Sequence, residues 1–401
     1  MNSLLLVDLD DTLLVNPIKE FMPAYISRLG EALRNHVDPQ KMVARLFYAT
    51  EKMVKNSNPE KTLEQVFDEN FYPALGLEKN NLQGAILEFY DHEFNELQSV
   101  TRPIPEAPHF IERAKELGCV LIIATNPLFP QKAMQARLKW AGFYDLAKVF
   151  SLITSYEGMH FAKPNPAYFA EILGLHGWPQ VPCGMVGNSL KDDIEPAAMV
   201  GLPGFWVTGD CQGFKEGSQT GSMAGGLRQA SAWLDSLAIN QHQIPLHQPE
   251  AVLAILRSSV AVLKTFANNL GDEQWKFRSK PDEPSILELV SHLCDVEIEI
   301  HQPRIQHLVT QANPFIAGVD SDLWRTQRDY QNTRSKQDLE KFIRTRIENI
   351  NTLSTLSEQD WQKPAQHSFF GPTTLVELLG FAAQHDMNHI REIYQSLHNA
   401  D

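Results

Sequence analysis

With 401 residues, the chain is long for one domain and comfortable for two. Its formal net charge is −14 and no basic stripe interrupts the acidic balance, which argues against a duplex nucleic-acid partner. No apolar stretch reaches the roughly 18 residues of a membrane span, and the apolar run at the start is too short for a signal peptide.

The first expected element is a buried strand, Leu4-Leu5-Leu6-Val7, running into Asp8-Leu9-Asp10-Asp11-Thr12. A short apolar run of this kind suits a parallel sheet, and open α/β sheets bind ligands at the carboxyl ends of their strands. Strand alternation presents Asp8 and Asp10 together and turns Leu9 away. One carboxylate can attack while the other carries a proton to a leaving group. A divalent cation would relieve their mutual repulsion. The competing structural reading is an Asp-rich strand end followed by a helix cap, so the rest of the chain decides.

Residues 15–100 hold several helical patterns. One opens on a capping box, Thr62-Leu63-Glu64-Gln65, before Val66 and Phe67; another runs through Leu82, Ile86, Leu87, Phe89 and Tyr90. The aromatic residues Phe47, Tyr48, Phe67, Phe71 and Tyr72 are expected in the core of these helices. A second apolar run, Val120–Ala124, ends in Thr125-Asn126. Lys163 follows within Phe161-Ala162-Lys163-Pro164-Asn165-Pro166. Then Gly184-Met185-Val186 leads into Gly187-Asn188-Ser189-Leu190-Lys191-Asp192-Asp193-Ile194.

These four segments, in this order, resemble the haloacid dehalogenase-like (HAD) superfamily over roughly residues 1–235. The resemblance implies an α/β Rossmann-like core, residues 1–14 and 101–238, with an α-helical type 1 cap, residues 15–100, that helps choose the substrate. It implies that Asp8 attacks phosphorus and forms an aspartyl-phosphate, and that Asp10 serves as general acid and then base. Thr125 would hydrogen-bond the transferred phosphoryl group, and Lys163 would neutralise the nucleophile and the phosphate oxygens. Mg²⁺ would be held by Asp8, by Asp10 through its main-chain carbonyl, and by Asn188, Asp193 and Asp192. The family's fourth motif reads GDSxxxDI, and here Asn188 replaces the first acid. An amide oxygen still ligates Mg²⁺ but brings no charge, so a weakened or rearranged metal site is expected. Dehalogenases of the superfamily typically lack the second Asp; its presence as Asp10 favours hydrolysis of a small phosphorylated metabolite.

Around 209–245 the composition shifts. Gly209, Gly213, Gly217, Gly221, Gly225 and Gly226 cluster with Ser and Gln, Arg228–Leu237 reads as a last helix, and residues 239–248 read as a linker. From 249 to 401 the strand pattern disappears and four long helical segments give an all-α four-helix bundle. The first, 249–270, carries Val252, Leu253, Leu256, Val260 and Leu263 on one stripe. The second starts at the capping box Ser285-Ile286-Leu287-Glu288, the third near Ser335, and the fourth at Thr374-Leu375-Val376-Glu377.

On the fourth helix His385 and His389 are four residues apart, share a face and can bind one metal ion; an incidental surface pair is the competing reading. Ser291-His292-Leu293-Cys294-Asp295-Val296-Glu297, Trp361, His367 before Gly371, and this histidine pair resemble the DinB-like bundles over about 250–398. The resemblance implies a divalent metal on His292, His385 and His389. Three neutral imidazoles leave a coordination position open and suit Zn, Ni or Fe. Members of that family include thiol-dependent transferases. The alternative reading is therefore that the bundle is a metal- and thiol-dependent transferase beside a weakly active or regulatory HAD half. His367 is expected to cap or to lie at the surface, and His301, nine residues beyond His292, at the surface. Glu297 is expected off the His292 face. The bundle is also the expected contact of a homodimer. The four cysteines, Cys119, Cys183, Cys211 and Cys294, form no CxxC pair and fit reduced thiols, so cytoplasm is the expected compartment.

Overall fold

Apolar residues Ser3–Val7 form β1, buried along its whole length, as expected of a strand flanked on both sides. The computed structural model describes residues 2–208, 223–237, 243–278, 280, 282–332 and 335–398. The chain divides into two units, Met1–Tyr168 with Gln180–Gln243, and Phe169–Pro179 with Ile244–Asp401.

In the first unit β1 is followed by β2 (Leu14–Val15), β3 (Arg102–Pro103), β4 (Cys119–Ile123), β5 (Leu152–Ile153), β6 (Cys183–Gly187), β7 (Gly204–Val207) and β8 (Met223–Gly225). Six of them build one parallel sheet in the order β5-β4-β1-β6-β7-β8. Register aligns the strand ends: Val7 pairs with Ile123 on one side and Val186 on the other. Asp8, Thr125 and Asn188 therefore leave the sheet along one edge, where an open parallel sheet places its ligands.

β2 and β3 pair antiparallel and frame the insertion between them. That insertion holds α1 (Ile18–Leu33), α2 (Pro39–Val54), α3 (Leu63–Phe71) and α4 (Lys79–Asp91). The Thr62 capping box forms, with Thr62 and Gln65 exchanging side-chain and backbone bonds. Phe71 and Tyr72 are buried. Phe47 and Tyr48 depart from expectation, at 53% and 41% exposed. The inward stripe of α2 is Met42, Leu46, Ala49 and Met53, and residues 47 and 48 fall off it by one and two steps of about 100°. After the insertion come α5 (Ala107–Glu116) and α6 (Gln131–Trp140). The glycine cluster at 209–221 lies outside the described residues; Leu227–Leu237 is helical.

Four long helical segments organise the second unit: Pro249–Asn268, Ile286–Thr310, Ser335–Leu353 and Leu375–His398. Reciprocal caps start the second at Ser285 and Glu288 and the fourth at Thr374 and Glu377. Between Glu297 and His301 the second helix winds into a π turn. The unit also contains strands the sequence did not announce: β9 (Phe315–Ile316), β10 (Pro364–His367) and β11 (Gly371–Thr374), a small sheet in the order β11-β10-β9. Segments of two to four residues, two of them containing proline, are too short to show alternation. Gly371, at φ +73°, supplies the turn into β11. No helix among the described residues is long and apolar enough to cross a membrane.

Candidate active site and metal centre

Asp8 is the first residue past β1, and its amide donates to the carbonyl of Val186 at 2.9 Å. Its carboxylate is 5% exposed as part of the residue. Thr12 Oγ1 donates to Asp8 Oδ2 at 3.2 Å, and Lys163 Nζ donates to Asp8 Oδ1 at 2.8 Å. Lys163 also donates to Asp193. One buried ammonium thus ties together carboxylates from two strand ends. Asp193 is delivered by a π turn, Leu190–Ile194, and its Oδ2 accepts from the Ser189 amide at 2.9 Å. The approach requires glycine at 187, because a Cβ there would lie 2.3 Å from Asp193 Oδ2. Thr125 is buried, and its carbonyl accepts from the hydroxyls of Thr154 and Tyr168 at 2.9 and 2.8 Å.

The other expected residues of this site point elsewhere. Asp10 Oδ1 accepts from Asn16 at 3.0 Å and from the Arg137 guanidinium. Asp192 accepts from the Ser189 hydroxyl at 3.0 Å. Asn188 uses its carbonyl to accept from Trp206 Nε1 at 2.9 Å. Asp8, Lys163 and Asp193 are therefore brought together, and Asp10, Asn188 and Asp192 lie around them with other partners.

Electrostatics test whether a cation belongs here. Burial raises the Asp8 carboxyl, Lys163 partly lowers it, and Asp193 and Asp10 push it up again, to about 7. Burial would lower the Lys163 ammonium, but Asp193 and Asp8 more than reverse that. Asp8, Asp10 and Asp193 outnumber the two cations that touch them, Lys163 and Arg137. That deficit of positive charge, among oxygen donors, fits Mg²⁺.

In the second unit His292, His385 and His389 converge. His385 Nε2 lies 3.2 Å from His292 Nε2 and 3.1 Å from His389 Nε2. Two nitrogens sharing a metal at about 2.1 Å lie roughly 3.0–3.4 Å apart for octahedral or tetrahedral angles, so the tripod fits an ion. Among the described residues this is the group of three His, Cys, Asp or Glu ligand atoms that all lie within 4.8 Å of one another. Burial pushes His292 down to about 3 and His385 well below the usual imidazole range, which keeps both neutral, as metal ligation requires. The Nδ1 atoms of His292 and His385 are buried without a partner. His389 Nδ1 faces Glu392 at 2.9 Å, the carboxylate–histidine pairing that orients a ligating ring. His385 and His389 line a cavity of about 670 Å³ with Arg278, Arg325, Phe381 and Glu392.

Beneath the triad, Arg346 of the third helix is buried and binds Glu297 at 2.7 Å and Asp386 through two nitrogens. Asn349 adds a bond to Glu297 at 2.6 Å. Burial alone would raise the Glu297 carboxyl, but Arg346 holds it below its ordinary value. Glu297 is thus off the His292 face, as expected, but at the centre of a buried network. His301 corrects its surface assignment: it is 8% exposed, with its ring centroid 6.1 Å from that of His385. In a straight helix nine residues turn about 900°, half a turn off the starting face. The π turn inserts one residue and rotates His301 back by about 100°, into the bundle. His367 is buried at the end of β10, where its Nδ1 accepts from the amides of Phe369 and Phe370, a capping role.

Residues 3–201 match the haloacid dehalogenase-like hydrolase family and residues 255–393 match the DinB superfamily. The chain joins a HAD-like hydrolase domain to a DinB-superfamily domain. A phosphoserine phosphatase from Thermus thermophilus is 30% identical over 103 residues, 26% of this chain and 39% of that protein. The chain thus spans about two fifths of the length of this curated relative. Among solved structures, YfiT from Bacillus subtilis, described as a probable metal-dependent hydrolase with an unusual four-helix bundle topology, is 20% identical with a TM-score of 0.35. The match covers 40% of this chain and 92% of YfiT. A 2-haloacid dehalogenase from Pseudomonas syringae is 22% identical with a TM-score of 0.40, covering 59% of this chain and 99% of that one.

Motif reading missed three residues of the two domains. In the HAD-like domain Arg137 is 1% exposed and reaches Asp10; its signal was a cation in the apolar stripe of α6, between Ala133, Met134 and Ala141. In the DinB-like domain Arg346 sits four residues from Phe342 and from Ile350 on a buried stripe, and Glu392 lies one turn beyond His389.

Proposed function

We propose that the HAD-like domain hydrolyses phosphomonoesters through an aspartyl-phosphate. The observation that carries this is the buried Asp8 carboxylate, held by Thr12 and Lys163 at the carboxyl end of the central strand. Asp8 attacks phosphorus, a new P–O bond forms, and the bond to the ester oxygen breaks. Asp10 gives the departing alkoxide its proton; with Oδ1 held by Arg137 and Asn16, Oδ2 is the oxygen left for that transfer. Asp10 then takes a proton from water, which hydrolyses the acyl phosphate to inorganic phosphate and frees Asp8. Lys163 balances the nucleophile and the phosphoryl oxygens, and Thr125 lies within the same edge to donate to them. Mg²⁺, which supplies Lewis-acid charge when bound, would be held by Asp8, the Asp10 carbonyl, Asn188 and Asp193, with Asp192 beside them.

For the bundle, the reading best supported is a divalent transition metal on His292, His385 and His389, with an open coordination position toward the 670 Å³ cavity. Two experiments test these readings. Asp8→Asn should lower kcat on p-nitrophenyl phosphate by about a thousandfold or more without changing the thermal midpoint, because an amide cannot attack phosphorus. Near-wild-type turnover would remove the aspartyl-phosphate. Protein purified without chelator should carry about one Zn, Ni or Fe per chain, and His385→Ala should carry none. Equal metal content in both would mean the triad is not the site.

A further inference from the structure

We infer that the HAD-like domain acts on phosphate monoesters whose alcohol is a bulky apolar group, and that the cavity between its core and its cap holds that group. The inference rests on the phosphatase reading and names its substrate class. The cavity measures about 370 Å³, within the ~300–1,000 Å³ range of small-molecule sites. Its core side brings Asp10, Asn126 and Arg137, next to the nucleophile. Its cap side brings Met22, Leu29, Leu33, Leu46, Phe47 and Ile86 among others, and no Lys, Arg, His, Asp or Glu of the cap lines it.

What polarity remains is already used or uncharged. Arg137, the one cation in the lining, is paired with Asp10 and lies over the rings of Phe21 and Phe129 at 5.7 and 5.4 Å. The Tyr25 and Tyr90 hydroxyls bond each other at 2.9 Å, and the Thr50 hydroxyl donates to the Leu46 carbonyl at 2.8 Å. Asn126 and the hydroxyls of Tyr72 and Tyr156 are neutral. An alcohol that carries an ammonium and a carboxylate, as serine does, would bury both without partners here, which is costly. An apolar chain would instead cover Ile18 and Phe47, large apolar residues of the lining left 61% and 53% exposed.

The test compares butyl phosphate, octyl phosphate and O-phosphoserine as substrates of the full chain with Mg²⁺. Each buried methylene is worth roughly a fourfold gain, so kcat/KM should rise about a hundredfold from butyl to octyl, with O-phosphoserine below octyl by at least that factor. Phe47→Asp, at a half-exposed position that tolerates a charge, should cost octyl phosphate about tenfold more than it costs p-nitrophenyl phosphate. Calorimetry of octyl- and butylphosphonate with Asp8→Asn reads the cavity without turnover, and the longer chain should bind at least tenfold tighter. Asp8-dependent hydrolysis of O-phosphoserine as fast as octyl phosphate would overturn the substrate class and leave the phosphatase reading standing. Tight octylphosphonate binding with no ester hydrolysed would keep the apolar site and remove the phosphatase reading. Chain length without effect on phosphonate binding would overturn the inference by itself.

Discussion

The ligand-bearing groups of the first unit carry charge, and those of the second are kept neutral. Around Asp8 the protein brings its own counter-charge: Lys163 bridges Asp8 to Asp193, and Arg137 engages Asp10. Around His385 it brings none to the ring nitrogens. Instead burial strips protons from the imidazoles, and charge is confined to the Arg346, Glu297 and Asp386 network on the far side of the ligand helix. The difference matches the ions the two sites suit. Hard Mg²⁺ is attracted by anionic oxygens and needs their repulsion managed, whereas a transition metal needs basic nitrogens free of protons. One feature is shared. Each site receives a residue from a π turn, Leu190–Ile194 for Asp193 and Glu297–His301 for His301, the local distortion that recurs at functional positions.

Three substitutions sharpen the contrast. The largest effect is expected at Arg346. Arg346→Ala leaves two buried carboxylates unpaired and should destabilise the bundle by about 3–5 kcal/mol, seen as an early transition in urea unfolding, while phosphatase activity persists below that transition. A single unshifted transition would show that the network is dispensable. Next comes Asn188→Asp, which adds the acid absent from the fourth motif. It should raise phosphatase kcat/KM by roughly tenfold and lower the Mg²⁺ concentration needed for half-maximal rate. No change would mean that the amide oxygen suffices.

The smallest effect concerns His301. Burial pushes it down to about 4, with Glu297 opposing. Its folded value lies below its unfolded one, so between about 6.5 and 4 the unfolded chain binds a proton that the folded chain does not. Stability must therefore fall as pH drops through that window. In metal-free protein, His301→Gln should lose less thermal stability than wild type between pH 7 and pH 5. Parallel curves would place the titration elsewhere.

Legibility in the sequence followed the same divide. Asp8, Thr125, Lys163 and Asp193 were readable because each closes an apolar run or turn whose fold class fixes its direction. The capping boxes at Thr62, Ser285 and Thr374 were readable because their chemistry is local. Arg137, Arg346 and Glu392 were not, because what they do depends on partners 127, 40 and 49, and 3 residues away. For the two arginines nothing in the local pattern separates a buried cation from a solvated one. Strands β9 to β11 were too short to carry a period. His301 failed for a different reason: the arithmetic of a straight helix was applied across a π turn that no residue type signals.

That turn makes chain length, rather than residue identity, the sensitive variable of the second bundle helix. Beyond it the helix continues as Gln302–Thr310 with Ile305 and Leu308 buried. Removing any one residue of 297–301 would restore an unbroken α-helix and shift the phase of everything downstream by about 100°. Ile305 and Leu308 would rotate out of the core together with His301, although every residue involved kept its chemistry. Side chains in this stretch can drift one at a time, whereas insertions and deletions are excluded by geometry.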